Sequence, residues 1–426
     1  MQITDLYKIY LANPSIQTDT RKIKQGDIFF ALKGDNFNGN HFANAALNTG
    51  AAYAIVDEEI DNASTKIIKV DDVLTTLQLL AKHHREQFID VKIPFIAITG
   101  SNGKTTTKEL IHQVLSATYK TYTTDGNLNN HIGIPLTLLK IKPDVQIAVI
   151  EMGANHKKEI ESYCVYAQPT HGLITNCGKA HLEGFGGEDG IKQGKGELFE
   201  YLSAHNGTAF IMNDYEYLQE MSKGIQNIIT YGTNNAMLCG NVNNSNSFLE
   251  VCISGGADIK IIKTNLVGAY NLPNVLAAVA IGKYFKVPDE KIKASLENYV
   301  PTNSRSQLIK KDSNTYILDA YNANPSSMKV AIENFVKMNG TNKVVLLGGM
   351  MELGKESITE HKNIIDLLNQ YNWQNVVLVG GDYSKTTHPY LYFETSAKAG
   401  EWLKKQNFIN TNFLIKGSRS MQMEKC

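Results

Sequence analysis

The sequence predicts an α/β protein of three domains, and three observations carry that prediction. The chain has 426 residues, room for about three domains of ordinary size. Short apolar runs alternate with stretches whose apolar residues recur every three or four positions, the pattern of parallel sheets flanked by helices. The segment "TGSNGKTTTKE" (99–109) joins one such apolar run directly to an amphipathic stretch. The expected arrangement is a small α/β N-terminal domain over 1–90, a central P-loop-type domain with a mostly parallel sheet over 91–299, and a smaller Rossmann-like, doubly wound C-terminal domain over 300–426.

In the first block, "GDIFFALKG" (26–34) and "AAYAIVDEE" (51–59) read as short buried strands. "VLTTLQLLAKHHREQF" (73–88) reads as a helix with Val73, Leu74, Leu77, Leu80 and Ala81 facing inward. His83 and His84 fall at its polar end and are expected on a solvated surface. The second block opens at "KIPFIAITG" (92–100), where Pro94 marks a boundary and an apolar strand then runs straight into the glycine loop. A helix is expected over 105–118, with Leu110, Ile111, Val114 and Leu115 on one face. Further strands are expected in "VQIAVIEMG" (145–153), "HGLITNCG" (171–178) and "GTAFIMND" (207–214). Residues 236–270 hold short alternating runs broken by Asn, Ser and Gly, and read as a β-hairpin subdomain. "NLPNVLAAVAIGKYF" (271–285) closes the block as a helix starting near a proline. The third block alternates again: "TYILDAY", a helix from about Pro325, "KVVLLGGM", a helix from about Thr359, "NVVLVGG", a helix near 396–405, and "NFLIKGS".

Composition narrows the class. At 42% hydrophobic and 20% charged residues the chain is ordinary globular protein. Lys+Arg equals Asp+Glu at 42 each, so no net charge points to a nucleic-acid partner. Five cysteines without a CxxC pair argue against a disulfide framework or a zinc knuckle and for a reducing compartment. The N-terminal "MQITDLYKIYLANPSIQTDTRK" lacks the basic start and apolar core of a signal peptide. No apolar run reaches the roughly 18–20 residues needed to cross a bilayer. A cytoplasmic protein without membrane insertion is expected.

The glycine loop is a place to hold phosphate. A helix start directs backbone N–H groups at one point, and the helix dipole adds partial positive charge there. Gly100 and Gly103 would let an anion approach without a Cβ in the way. Lys104 can reach β- and γ-phosphates, and the Thr105 hydroxyl can bind Mg²⁺. The spacing is not that of Walker A, since Gly100 lies three, not five, positions before Gly103. The competing reading is a plain strand–turn–helix junction.

The shortened T-G-[ST]-x-G-K-[ST] form resembles that of the Mur ligase superfamily. Further matches follow in order: "TDTRKIKQGDIFFALKGDNFNGNHF", "GNLNNHIGIPLTLL", "VIEMGANHKKEI", "NCGKAHLEGFG", "GKGELF", "NLPNVLAA", "LDAYNANPSSM" and "KGSRSMQME". The resemblance covers nearly the whole chain. It implies an ATP-dependent ligase that phosphorylates a carboxylate to an acyl phosphate, which an amine then attacks. The motifs "DAYNANP", "HLEGFG" and "KGSRS" point to a member that joins D-Ala-D-Ala to a UDP-MurNAc-tripeptide. A sister ligase adding the third peptide residue, a folylpolyglutamate synthase and a non-catalytic nucleotide-binding module are the alternatives. The three blocks would then bind the UDP-MurNAc-peptide, bind ATP, and close over nucleotide and dipeptide. A monomer is expected.

By the same resemblance, Gly100, Ser101, Asn102, Gly103, Lys104, Thr105 and Thr106 would hold ATP phosphates. Asn271 and Asn274 would line the adenine site, against a reading as helix caps. Arg305 and Asp319 would contact ATP from the third block. Thr105, Glu151, His181 and Lys195 would serve Mg²⁺, and Lys104, Glu151, His181 and Lys195 would make up the catalytic set. In the family that the chain resembles, the matching lysine is carbamylated by CO₂, which would turn Lys195 from a cation that repels Mg²⁺ into a carboxylate-like ligand; Lys192, one helical turn away, is the rival lysine. Glu151 could also be a solvated strand-end carboxylate, and His181 a satisfied loop residue. Thr20 and Arg21 would meet the uridine nucleotide, Asn129 and Asn130 the peptide and γ-phosphate region, and Tyr321, Asn322 and Asn324 the dipeptide or nucleotide. Asparagines also favour turns, which remains the rival reading for these positions.

Overall fold

The computed structural model describes residues 1–61, 64–302 and 305–426. They fall into two compact units. The first comprises residues 1–97, 119–154 and 158–172, and the second residues 98–118, 155–157 and 173–426.

In the first unit, strands Ile16–Gln17, Ile28–Phe30, Tyr53–Val56 and Ile67–Lys69 form an all-parallel sheet in that spatial order. Phe29, Ala31, Ala54 and Val56 pack with Ala43 and Ala46 of the Ala43–Thr49 helix. The Val73–Glu86 helix begins where Asp72 accepts the Thr75 N–H at 2.6 Å, a side-chain cap on an otherwise unsatisfied donor. Its buried face packs against helices Ile3–Ala12, Gly133–Leu139 and Glu159–Ala167. The helix expected to end the first block therefore shares its core with helices of the second. In the same unit, strand Thr121–Thr123 runs parallel to Ile147–Glu151, and the Ala148 N–H donates to the Pro94 carbonyl at 3.0 Å.

His84 is not on the surface. It is 5% exposed. Its Nε2–H donates to the Ile141 carbonyl at 2.8 Å, and Nδ1 faces the Tyr7 hydroxyl at 3.0 Å. Those partners come from segments distant in sequence, and helical periodicity could not reveal them. His361, in the second unit, is fully buried: Nδ1 donates to the Ser357 carbonyl at 2.7 Å, and Nε2 accepts the Met350 N–H at 3.0 Å.

Burial lowers the pKa of His84 and His361 and takes His171 down to about 4. Unfolding returns each to about 6.5. Between those values the unfolded chain binds protons that the folded chain does not. Stability is accordingly full above about pH 6.5 and falls with pH, by at most about 1.4 kcal/mol per pH unit for each histidine. Urea midpoints should be flat from pH 8 to 7 and drop from 6.5 to 5. A midpoint unchanged at pH 5 would contradict this.

The second unit contains the glycine loop and the Lys104–Ser116 helix. Strands Thr208–Met212, Asn227–Gly232 and Leu238–Asn244 are parallel neighbours, and Glu250–Gly255 and Ile261–Lys263 extend them antiparallel. The 236–270 segment is thus the edge of a larger sheet and not a separate subdomain. The Leu272–Tyr284 helix, buried on nearly every side, packs on strands Asn227–Gly232 and Leu238–Asn244. At Gly240 a Cβ would lie 2.7 Å from Leu276; its absence lets the helix sit against the strand.

The C-terminal sheet has the order Gln307–Lys311, Asn314–Asp319, Asn412–Lys416, Lys343–Gly348, Asn375–Val379, Leu391–Phe393. Only its first pair is antiparallel. Val344, Leu346, Val377, Phe413 and Ile415 form its core. The last strand inserts beside the first parallel one, which sets Asp319 opposite Lys416 at the carboxyl edge. The five cysteines are free. Among the described residues, no helix is long and apolar enough to cross a membrane.

Candidate functional site

The glycine loop is held from behind by residues 175–178. Ser101 donates its N–H to the Asn176 carbonyl at 2.8 Å and its Oγ–H to the Gly178 carbonyl at 2.7 Å. The Asn102 N–H donates to Asn176 Oδ1 at 3.1 Å. The Asn102 carbonyl accepts from Thr175 Oγ1 at 2.6 Å and Asn176 Nδ2 at 3.0 Å. Thr175, Asn176 and Gly178 are site residues that the sequence reading passed over; "TNCG" following a strand was the available signal.

The glycines are required here for a reason other than anion approach. A Cβ on Gly100 would lie 2.0 Å from Thr175 Oγ1 and 3.0 Å from the Thr175 nitrogen, at φ +139°. A Cβ on Gly103, at φ +82°, would lie 2.8 Å from Asn274 Oδ1. Both missing side chains point into protein. Asn274 Oδ1 accepts the Thr107 hydroxyl at 3.0 Å, its Nδ2 donates to Asn271 Oδ1 at 2.9 Å, and Asn271 Nδ2 donates to the Val267 carbonyl at 2.9 Å. Asn271 and Asn274 are both buried, forming a polar brace under the loop.

Lys104 opens the helix, and its ammonium donates to the Gly100 carbonyl at 2.6 Å. Thr105 is buried and Thr106 half-buried in the first turn. A helix start presents N–H groups that no carbonyl of the helix can reach, so this turn can take an anion, with Lys104 adjacent.

His181 precedes the short Leu182–Phe185 helix at φ +55°. Its Nδ1 contacts the Glu352 carboxylate, and Glu352 is itself left-handed at φ +62°. The His181 imidazole beside it holds Glu352 below the usual carboxylate range. Lys195, on the Glu188–Ala204 helix, is 1% exposed, with Nζ 4.8 Å from the Phe185 ring centre. Lys192 is half-buried, 3.8 Å from Asp189. Burial thus separates two lysines that spacing alone left as rivals. Glycines at 190 and 194 admit Phe185: Cβ atoms there would come within 1.9 Å of its carbonyl and 2.5 Å of its ring. Burial pushes the Cys177 thiol up to about 11, against the opposing charges of Lys195 and Lys192.

In the first unit, Glu151 ends its strand at 1% exposure. Its Oε1 accepts Asn129 Nδ2 at 2.8 Å. Asn130 is exposed, and its Oδ1 accepts the Gly133 N–H at 2.8 Å, a turn role. Arg21 is exposed and forks onto Asp19 at 2.8 and 2.9 Å; Thr20 is half-buried in the same turn. Among the described residues, no three His, Cys, Asp or Glu side chains cluster closely enough to hold a metal by themselves.

From the C-terminal sheet, Asp319 accepts Lys416 Nζ at 2.5 Å and the Ser306 N–H at 3.1 Å. Arg305 lies over the Tyr321 ring, its guanidinium carbon 3.6 Å from the ring centre. The buried Arg305 Nε has no hydrogen-bond partner among the described residues. Asn322 is exposed and its carbonyl accepts Lys416 Nζ at 3.1 Å. Asn324 caps the Pro325–Lys337 helix in a capping box with Ser327, and its Nδ2 donates to Asn102 Oδ1 at 2.8 Å. The second unit therefore brings the glycine loop, residues 175–181 and the start of the Pro325–Lys337 helix together. Asn324→Ala should cost about 1 kcal/mol of stability through the cap, read as a lower urea midpoint. An unchanged midpoint would contradict the capping role.

Comparison with known proteins adds a family. The Mur ligase middle-domain model matches residues 98–282, the model described as "Mur ligase, glutamate ligase domain" matches 304–409, and "Mur ligase family, catalytic domain" matches 14–85. A Bacillus subtilis relative, UDP-N-acetylmuramoyl-tripeptide–D-alanyl-D-alanine ligase, is 37% identical over 84% of this chain and 80% of its own length. The crystal structure of MurF from Acinetobacter baumannii superposes with a TM-score of 0.88 at 31% identity, over 98% of this chain and 96% of that one. That of MurF ligase from Thermotoga maritima in complex with ADP superposes at 0.87 and 25% identity, over 97% and 96%.

Proposed function

The chain belongs to the Mur ligase family, and on that premise we propose that it joins D-Ala-D-Ala to the terminal carboxylate of a UDP-MurNAc-tripeptide. ATP becomes ADP and phosphate, and the product is a peptidoglycan precursor. The observation that carries this reading is the 37% identity, over 84% of the chain, to a relative bearing that name.

A carboxylate and an amine do not condense in neutral water, because oxide is a poor leaving group. Transfer of the γ-phosphoryl group makes an acyl phosphate. The dipeptide amine then adds to its carbonyl, and phosphate leaves as the amide forms. The first half is phosphoryl transfer, in which positioning and charge neutralisation dominate. The reading gives the backbone of residues 100–103 and the first turn from Lys104 to Thr106 to the phosphates. The Lys104 ammonium, which here donates to the loop's own carbonyl, would turn to the β- and γ-oxygens. Arg305 and Asp319 would meet the nucleotide, with the Arg305–Tyr321 stack leaving Nε to donate. Asn271 and Asn274 act from beneath by bracing Gly103. Tyr321, Asn322, Thr20, Arg21, Asn129 and Asn130 are assigned to substrate.

Mg²⁺, when bound, neutralises charge on the transferring phosphoryl group. The Thr105 hydroxyl and the Glu151 carboxylate are hard oxygen donors of the kind it takes, and His181 adds an imidazole. A Lys195 ammonium would be repelled by Mg²⁺, but as a CO₂-derived carbamate it would be a further carboxylate-like donor. The reading places the enzyme in the cytoplasm, as a monomer, serving cell-wall growth and division.

Incubation with UDP-MurNAc-tripeptide, ATP and D-Ala-D-Ala, followed by mass spectrometry, should yield the pentapeptide and one ADP per product. Phosphate release that does not depend on the dipeptide, with no product of that mass, would overturn the reading.

A further inference from the structure

Residue 179 stands between two parts of the second unit. Its Nζ lies 2.8 Å from Glu360 Oε1, on the Ser357–Leu368 helix of the C-terminal sheet, and 3.6 Å from Glu188. Its backbone N–H donates to Ser326 Oγ at 2.9 Å. Glu360 is 5% exposed, and its second oxygen accepts Asn363 Nδ2 at 3.3 Å. The residue before Lys179 is Gly178, whose carbonyl takes the Ser101 hydroxyl of the glycine loop. Beside this runs the Asn324–Asn102 bond. A buried carboxylate whose cation is taken away is left charged and uncompensated. The pair therefore favours the arrangement in which the C-terminal helices sit against residues 176–181, and those residues are what shape the glycine loop.

We propose that Lys179 and Glu360 are positioning residues: their ion pair latches the C-terminal part of the chain onto the 176–181 segment and thereby sets the glycine loop for nucleotide. Neither residue is among those assigned to the nucleotide. The latch rests on the nucleotide-binding half of the proposed function.

The test compares the wild type with Lys179→Met, Glu360→Gln and the double variant, by calorimetry with ADP and by steady-state kinetics. Each single change should weaken ADP binding and raise the KM for ATP by roughly tenfold, with kcat at saturating ATP little altered. The double variant should be no worse than the worse single, because one interaction is removed only once. Lys179→Arg should restore most of the affinity. Thermal unfolding of each variant without nucleotide separates a folding defect from a loss of coupling, and Lys179→Arg keeps the test open where Lys179→Met folds poorly. Unchanged ADP affinity in both singles, or single effects that multiply in the double, would overturn the latch. ADP coupling in a chain that makes no pentapeptide would uphold the latch and remove the ligase reading.

Discussion

Lys195→Ala should lower ligation by roughly two to three orders of magnitude, the scale on which loss of one preorganised electrostatic partner is felt. The side chain is buried against Phe185 and sits beside Cys177, where a bare ammonium offers nothing to a divalent cation. In the carbamate reading, alanine removes one anionic donor and leaves a space shaped for it. A short carboxylic acid added to the assay should restore part of the rate. Lys192→Ala, one turn away and beside Asp189, should stay within about twofold of the wild type, as surface changes usually do. Full activity in Lys195→Ala, or equal losses at both lysines, would end the carbamate assignment.

Gly100→Ala should abolish nucleotide binding while leaving the rest of the chain folded. Its Cβ would overlap Thr175 Oγ1 at 2.0 Å and press on two backbone nitrogens, those of Thr175 and Asn176, at 3.0 and 3.1 Å. No rotamer change moves a backbone nitrogen, and φ +139° is strained for any residue with a Cβ. The loop must shift, and with it the N–H groups of the helix start. Removing the hydroxyl by Thr175→Ala should not rescue the variant, because the backbone contacts and the φ remain. Calorimetry with ADP reads the outcome, and wild-type affinity in Gly100→Ala would contradict the loop geometry described here.

The alternation of strands and helices was legible in the sequence because it is written in local patterns of period two or three to four, and the glycine loop because it is a short run of neighbouring residues. What escaped it depends on distant partners. His84 looked solvated beside His83 until Tyr7 and the Ile141 carbonyl closed over it. Lys195 and Lys192 have the same chemistry one turn apart, and only the approach of Phe185 through Gly190 and Gly194 buries one of them. Gly100 and Gly103 read as a phosphate loop, yet the clash that each glycine avoids lies at Thr175 and Asn274, 75 and 171 residues away along the chain. The 236–270 segment carried hairpin signals that were locally sound; that its first strand would join a parallel neighbour at Tyr231 and Gly232 had no local signature. Asn324 was legible as a turn residue or a ligand, and the structure gives it a cap and a bond to the glycine loop at once.

The most direct test follows an oxygen atom. With both terminal carboxylate oxygens of the UDP-MurNAc-tripeptide replaced by ¹⁸O, activation through an acyl phosphate sends one label into the inorganic phosphate and leaves one in the new amide carbonyl. One ¹⁸O per phosphate, released in step with the pentapeptide, is the expected result. Unlabelled phosphate accompanying the same product would show that the carboxylate is never phosphorylated and would contradict the account.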